Sequence, residues 1–150
     1  MVSFAELNDF SRRFAERLFD KYPEWRQHAV IDPDDDLQPG SFHVTVRSPG
    51  SGGELWVRTY GNQITVDFGP HGWHEHFGEW SGSSETEIFD AALRFLEDFL
   101  NDRVLVITRR LFGRPMWTEA IRPDRVRRPL IGAIEVYSWS GKLDARLPPD

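Results

Sequence analysis

Three short runs between residues 42 and 68 alternate apolar and polar side chains, and two turns separate them. The runs are 42–47, 54–60 and 63–68, and the turns are Pro-Gly-Ser-Gly-Gly at 49–53 and Gly-Asn at 61–62. Alternation with a period of two is typical of half-buried strands, and a two-residue turn containing glycine joins neighbouring antiparallel strands. This part of the chain therefore predicts three consecutive antiparallel strands.

Two amphipathic helices are predicted, one before and one after this strand-rich segment in the sequence. Ser3 and Glu6 have the spacing of a capping box at the start of the first helix, and Pro23 predicts its end near Tyr22. The second helix begins with a second capping-box spacing and an apolar stripe follows, with Asn101 suited to its C-terminal end. The second capping pair is Ser84 and Glu87; the stripes contain Phe4, Leu7, Phe10, Phe14 and Leu18 in the first helix, and Ile88, Phe89, Ala92, Leu93, Leu96, Phe99 and Leu100 in the second.

Four further runs have strand character. Residues 73–80 are predicted as a fourth strand, 104–108 as an interior strand because the run is almost continuously apolar, and 116–121 and 133–139 as two more. The predicted fold is α+β: a single domain of residues 1–150, with a mostly antiparallel sheet of about six or seven strands and two amphipathic helices packed on one face.

Composition excludes several classes of protein. The 150 residues include no cysteine, which excludes a disulfide framework, a thiolate metal site and a cysteine nucleophile. The N-terminus has no basic stretch followed by an apolar run, and no stretch of about 18 apolar residues occurs anywhere. The sequence therefore predicts a cytoplasmic protein with no membrane partner.

The net charge of −6 is unevenly distributed along the chain. Residues 1–100 contain 8 basic and 18 acidic side chains, whereas residues 101–150 contain 10 basic and 6 acidic ones. An acidic chain repels phosphate, so no nucleic-acid partner is predicted, and acidity favours basic protein partners. The alternative is that the acidic side chains only keep the protein soluble.

The stretch Gly-Trp-His-Glu-His-Phe-Gly-Glu-Trp at 72–80 is the most unusual in the sequence. On a strand, His74 and His76 point to the same face, where two imidazoles could approach one metal ion, with His71, Glu79, His43 or Asp67 as a third ligand. The spacing lacks the closed ligand pattern of a zinc motif, so the alternative is that the histidines are hydrogen-bonded polar residues on an exposed sheet face. No metal site and no cofactor are predicted, and this face is the preferred place for a partner.

Three other sets of residues have two interpretations each. Asp32, Asp34, Asp35 and Asp36 resemble part of a calcium loop but lack its glycine and distal glutamate, so they are predicted to form a solvated acidic loop. The functional interpretation of this loop is electrostatic attraction of a basic protein surface. Phe77 and the tryptophans could fill the core or form a recognition patch. The arginines between 109 and 128 could bind nucleic acid or phosphate, or they could pair with the acidic part of the same chain or with another copy. The tryptophans in question are Trp56, Trp73, Trp80, Trp117 and Trp139.

Three stretches together, 72–80, 85–121 and 136–144, resemble a group of small bacterial proteins, some of which look like immunity proteins of contact-dependent or polymorphic toxin systems. The resemblance covers about residues 40–145. It implies a bacterial cytosolic protein that blocks a toxin by binding it and not by chemistry. No functional residue is carried over, because no shared functional motif maps onto this chain.

The sequence therefore predicts a non-enzymatic binding protein whose partner is a protein such as a basic toxin domain. The predicted contact residues are Asp34, Asp35, Asp36, Asp67, His74, His76 and Glu79. Two alternatives stay open at this stage. One is a metal-dependent enzyme or small-ligand carrier that uses His71, His74 and His76; the other is an assembly subunit, such as a homodimer, that pairs through a sheet edge or the arginine-rich loop.

Overall fold

The computed structural model describes residues 3–31, 39–50, 53–69, 72–78 and 82–150. Within these residues the chain forms two α-helices and nine strands, which confirms the α+β class. The helices are α1 (Asp9–Lys21) and α2 (Glu85–Leu100), and the strands are β1 (Ala29–Ile31), β2 (Phe42–Arg47), β3 (Glu54–Tyr60), β4 (Gln63–Phe68), β5 (Trp73–Phe77), β6 (Leu105–Leu111), β7 (Arg114–Ile121), β8 (Ala133–Tyr137) and β9 (Ala145–Leu147).

The strands form two antiparallel sheets, where the sequence predicts one sheet of about six or seven strands. One sheet has the order β1-β2-β3-β4-β5 and the other the order β7-β6-β8-β9. The two strands that the sequence analysis missed, β1 and β9, have three residues each. Such a strand is too short to show alternation, and its conformation depends on the partner with which it pairs.

Contacts group the chain into two compact units. The N-terminal unit comprises Met1–Val46, Leu55–Asp67 and His74–Leu93, and the C-terminal unit comprises Arg47–Glu54, Phe68–Trp73 and Arg94–Asp150. The assignment of residues 1–150 to a single domain stays a prediction. Among the described residues, no helix combines the length and the apolarity that a membrane crossing requires.

The start of α1 differs from the prediction. Ser3 makes no side-chain capping bond and precedes a short 3₁₀ turn, Phe4–Glu6. The α-helix begins after Asn8, whose side-chain oxygen accepts a hydrogen bond from the Ser11 N–H at 2.8 Å. Asn8 also donates its own N–H to the carbonyl of Gly40 at 3.1 Å, which holds this residue in an extended conformation and displaces the helix start.

Aromatic side chains pack α1 against the sheet in the N-terminal unit. The rings of Phe14 and Phe19 lie 6.3 and 5.9 Å from the ring of Phe42 on β2. Phe10 and Phe14 also contact Phe89 of α2, at 5.1 and 5.4 Å. The apolar stripe of α1 therefore covers one face of β2, as the helical periodicity predicts.

In the C-terminal unit, β6 is an interior strand between β7 and β8, as its apolar run predicts. Its side chains Leu105 and Ile107 are buried with Ile134 and Val136 of β8. β7 forms one edge of this sheet and β9 the other. Within the described residues, one side of the β7 backbone therefore has no neighbouring strand.

Candidate functional site

The five-stranded sheet has an exposed face opposite the buried face that carries Phe42. Val30 of β1 pairs with His43 of β2, and the next pair along the two strands is Ile31 with Phe42. Because neighbouring pairs point to opposite faces and Phe42 is buried, Val30 and His43 point away from the core. Strand alternation adds residues of β3, β4 and β5 to this face. The open face, as we call it, consists of Val30, His43, Trp56, Arg58, Tyr60, Gln63, Thr65, Asp67, His74 and His76.

Large rings on the open face are accessible to solvent. Trp56 is 41% exposed and Tyr60 is 43% exposed, although both lie on a strand whose alternate residues Leu55 and Val57 are fully buried. The Trp56 indole stacks on the imidazole of His43, with ring centroids 5.7 Å apart and an interplanar angle of 19°. The stack fixes the orientation of the indole while leaving much of its apolar area available to a partner.

His74 and His76 both point to the open face, as the alternation of β5 predicts, whereas Trp73 is buried. Their ring centroids lie 4.8 Å apart. His76 Nδ1 lies 2.9 Å from the Thr65 hydroxyl oxygen and 3.3 Å from Gln63 Nε2. An amide nitrogen can only donate, so the Gln63 contact requires Nδ1 to accept and the neutral ring to carry its hydrogen on Nε2.

The described part of the histidine-rich stretch holds only two of the proposed metal ligands. Among the described residues, no three His, Asp or Glu side chains come together in a way that could hold a metal ion. His71 and Glu79 lie outside the described residues. Thr65 and Gln63 already engage His76 Nδ1, so this nitrogen takes part in hydrogen bonds within the open face.

The structure brings together some of the predicted contact residues. His74, His76 and the half-buried Asp67 lie on the open face, whereas Asp34, Asp35, Asp36 and Glu79 lie outside the described residues. Sequence reasoning left open whether Trp56 is core or recognition surface, and it passed over Tyr60. Alternation along β3 could have identified both as exposed, because Trp56 and Tyr60 point to the face opposite to that of the apolar Leu55 and Val57.

Charge distinguishes the two units. The N-terminal unit has 15 acidic and 6 basic side chains, a net charge of −9, whereas the C-terminal unit has 9 acidic and 12 basic ones, a net charge of +3. No protein-family model, curated protein or solved structure matches this chain. Exposed side chains and the charge of each unit are therefore the features that bear on function.

Proposed function

We propose that the chain is a non-enzymatic binding protein of the bacterial cytoplasm that neutralises a toxin by direct contact through the open face. The observation that carries this proposal is the exposed Trp56, stacked on His43 and accompanied by Tyr60 on the same strand. Immunity proteins act in this way, and the sequence resemblance of residues 40–145 to small bacterial proteins, some of which look like immunity proteins, supports the proposal.

Exposed Trp and Tyr rings suit a binding surface for a physical reason. Each ring buries a large apolar area on contact while few torsion angles lose freedom, so aromatic residues dominate the energetic centres of protein interfaces. Trp56 and Tyr60 lie on β3, the central strand of the sheet, and Trp56 is further held by His43. Because they are oriented before a partner arrives, little additional ordering is needed on binding.

The polar residues of the open face suit the rim of such an interface. His74 and His76 place imidazole rings on this face, and Asp67 places a carboxylate near the end of β4. Polar rim contacts contribute mainly to orientation and specificity, since water competes for them. We therefore assign the affinity to Trp56 and Tyr60 and the choice of partner to the histidines and Asp67.

The partner is expected to be basic. A unit with a net charge of −9 attracts cationic proteins and raises the rate at which they meet it. This net charge includes Asp34, Asp35 and Asp36. The association rate with the partner should therefore fall as salt is added, while the dissociation rate changes less.

The test uses the protein encoded beside this gene, because toxin and immunity genes are usually neighbours. Binding of that purified protein is measured by calorimetry, and protection is measured by growth during co-expression. Trp56→Thr, which retains a residue suited to a strand, should weaken binding by about tenfold or more and remove protection. The matched control is Trp117→Thr, which removes an exposed tryptophan from the C-terminal unit and should leave both unchanged.

Two results would contradict the proposal. Equal binding by the wild type and Trp56→Thr, with both proteins melting normally, would remove the open face from the interface. Inactivation of the toxin by far less than one equivalent of this protein would indicate turnover and hence an enzyme. Inhibition by direct contact requires about one equivalent.

A further inference from the structure

The C-terminal unit carries a groove of about 490 Å³ beside the edge strand β7. It is lined by apolar and cationic side chains, and no carboxylate of the described residues contributes to the lining. The lining residues are Arg109, Arg110, Leu111, Met116, Trp117, Arg127, Arg128, Pro129, Leu130 and Ile131. We call this the arginine groove.

The apolar residues of the arginine groove are unusually exposed. Leu130 is 89% exposed, Ile131 71% and Met116 64%. Single exposed apolar residues are common on protein surfaces, but a contiguous group of large ones, bordered by charge, marks a place where another molecule docks. Tryptophan, methionine and arginine are the residue types enriched in such interfaces.

The groove is held in shape by the sheet beneath it. Gly132 adopts a φ of +75° so close to β6 that a Cβ there would lie 2.0 Å from the carbonyl oxygen of Arg110. This close approach fixes the loop that carries Leu130 and Ile131 next to the strand. On β7, the Trp117 ring is held under the Arg109 guanidinium, whose carbon lies 4.6 Å from the ring centroid.

The cations of the groove differ in how far they are neutralised, since Arg110 pairs with Glu135 at 3.3 Å and donates to the Gly113 carbonyl oxygen at 3.0 Å, whereas the other three have weaker ion pairs or none among the described residues. Arg127 donates to two backbone carbonyl oxygens, and the ion pairs of Arg109 with Glu119 and of Arg128 with Asp150 are long, at 3.7 and 3.9 Å. The Nε atom of Arg109 is buried and has no hydrogen-bond acceptor among the described residues. Because that atom is buried, an anionic partner would instead meet the exposed guanidinium groups of Arg127 and Arg128, whose contacts among the described residues are backbone carbonyl oxygens and one long ion pair.

From this arrangement we infer that the arginine groove binds an extended acidic segment of another protein in which apolar side chains alternate with carboxylates. The carboxylates would face the arginines, and the apolar side chains would cover Trp117, Leu130 and Ile131. The exposed edge of β7 can also pair with the backbone of an extended segment. This partner is opposite in charge to the one proposed for the open face, and the inference does not depend on that proposal.

The chemistry of the groove argues for this occupant over others. A symmetric contact between two copies would bring eight arginines together without a carboxylate from either groove. Nucleic acid would leave the aliphatic side chains of Leu130 and Ile131 unused, because bases stack on aromatic rings. A membrane surface is flat and cannot pair with the β7 backbone, whereas a polypeptide can do so.

The probe is a short labelled peptide in which glutamate alternates with leucine and phenylalanine, titrated by fluorescence anisotropy. Peptides with lysine in place of glutamate, or serine in place of the apolar residues, are the controls. Saturable binding of the first peptide alone is expected. Leu130→Ser and Arg127→Glu should each weaken it by about tenfold, and Trp56→Thr on the N-terminal unit should leave it unchanged.

Four outcomes would overturn the inference. These are no saturable binding of the acidic apolar peptide, binding that Leu130→Ser does not weaken, tighter binding to phosphatidylserine vesicles or to a single-stranded oligonucleotide, and a dimer in sedimentation that Leu130→Ser converts to a monomer. Because Leu130 is 89% exposed, its substitution does not threaten folding. A melting curve for each variant checks this point.

Discussion

The guanidinium of Arg13 binds both carboxylate oxygens of Glu85, with Nε 2.6 Å from Oε1 and Nη2 2.8 Å from Oε2. This bidentate pair joins α1 to the first turn of α2 within the N-terminal unit. One turn further along α1, Arg17 forms a second ion pair with α2, in which its Nη2 lies 2.5 Å from Asp90 Oδ1. The two helices of this unit are therefore connected by ion pairs at their surface as well as by the rings of Phe10, Phe14 and Phe89 beneath.

The first prediction concerns the pH dependence of the Arg13–Glu85 pair. Hydrogen bonding to Arg13 lowers the pKa of Glu85 below its ordinary value. A lowered folded-state pKa contributes stability above the unfolded-state pKa, and that contribution is lost as the pH falls through the folded-state value. Arg13→Met should therefore lose only a little stability at neutral pH, because both side chains of the pair are partly exposed. The loss should be smaller under acidic conditions, where Glu85 is protonated and the ion pair is already gone.

Urea unfolding of the wild type, Arg13→Met, Glu85→Gln and the double variant, each at neutral and at acidic pH, measures this coupling. The control is Arg94→Met, which removes an exposed arginine of α2 that forms no ion pair with the described residues. Additive effects of the two single variants at neutral pH would contradict the prediction.

The second prediction concerns the start of α2. The Ser84 N–H donates to Glu87 Oε2 at 2.6 Å and the Glu87 N–H donates to Ser84 Oγ at 3.3 Å, which confirms the capping box. Ser84→Ala should lower the free energy of unfolding by about 1 kcal/mol, because an amide of the first turn loses its acceptor. Ser84→Thr retains the hydroxyl and should behave almost as the wild type in chemical denaturation. Equal losses in both variants would show that the hydroxyl is not responsible.

Local patterns predicted most of the elements, because the physical cause of each lies within a few residues. The bounds of β2, β3 and β4 are confirmed, since alternation and a Gly61–Asn62 turn specify a hairpin without reference to the rest of the chain. The spacing of Ser3 and Glu6 predicted a wrong helix start, because the actual start depends on a contact between distant residues. The hydrogen bond from Asn8 to Gly40 joins residues 32 positions apart, and no local pattern reports it.

The candidate surfaces were less predictable than the elements. That His74 and His76 share a face follows from strand alternation alone. Whether Trp56 or Trp73 is buried depends on which face of the sheet meets a helix, and that is decided by packing between distant residues. The arginine groove could not be predicted, because Trp117 and Leu130 come together only when β7 and the loop before β8 lie side by side.

The third prediction concerns the two-residue turn between β6 and β7. Phe112 has a φ of +50° and is 93% exposed, and Gly113 follows with a φ of +75°. Asparagine is favoured at the first of these positions because its side chain tolerates positive φ, whereas a bulky ring does not. Phe112→Asn should raise the free energy of unfolding by about 0.5–1 kcal/mol.

Phe112→Ala is the control, because it removes the ring but gains none of the tolerance of asparagine. Its stability should stay close to that of the wild type in thermal and urea unfolding. A gain in Phe112→Ala equal to that in Phe112→Asn would assign the effect to removal of an exposed ring and contradict the prediction.

The last prediction concerns alkaline pH and Tyr137. Burial raises the pKa of Tyr137 to about 12, and its hydrogen bond to Glu135 Oε2, at 2.9 Å, adds to the effect. Because the folded-state pKa exceeds the ordinary value of about 10, the folded protein retains this proton where the unfolded chain has lost it. The contribution of Tyr137 to stability is therefore complete below about pH 10 and is lost as the pH rises towards 12. Tyr137→Phe should be less stable than the wild type at neutral pH, because Glu135 loses a donor, but its stability should fall less steeply above pH 10.

Tyr60→Phe, on the open face, serves as the control in the same urea titrations. Parallel curves for the wild type and Tyr137→Phe above pH 10 would show that this hydroxyl does not set the alkaline limit.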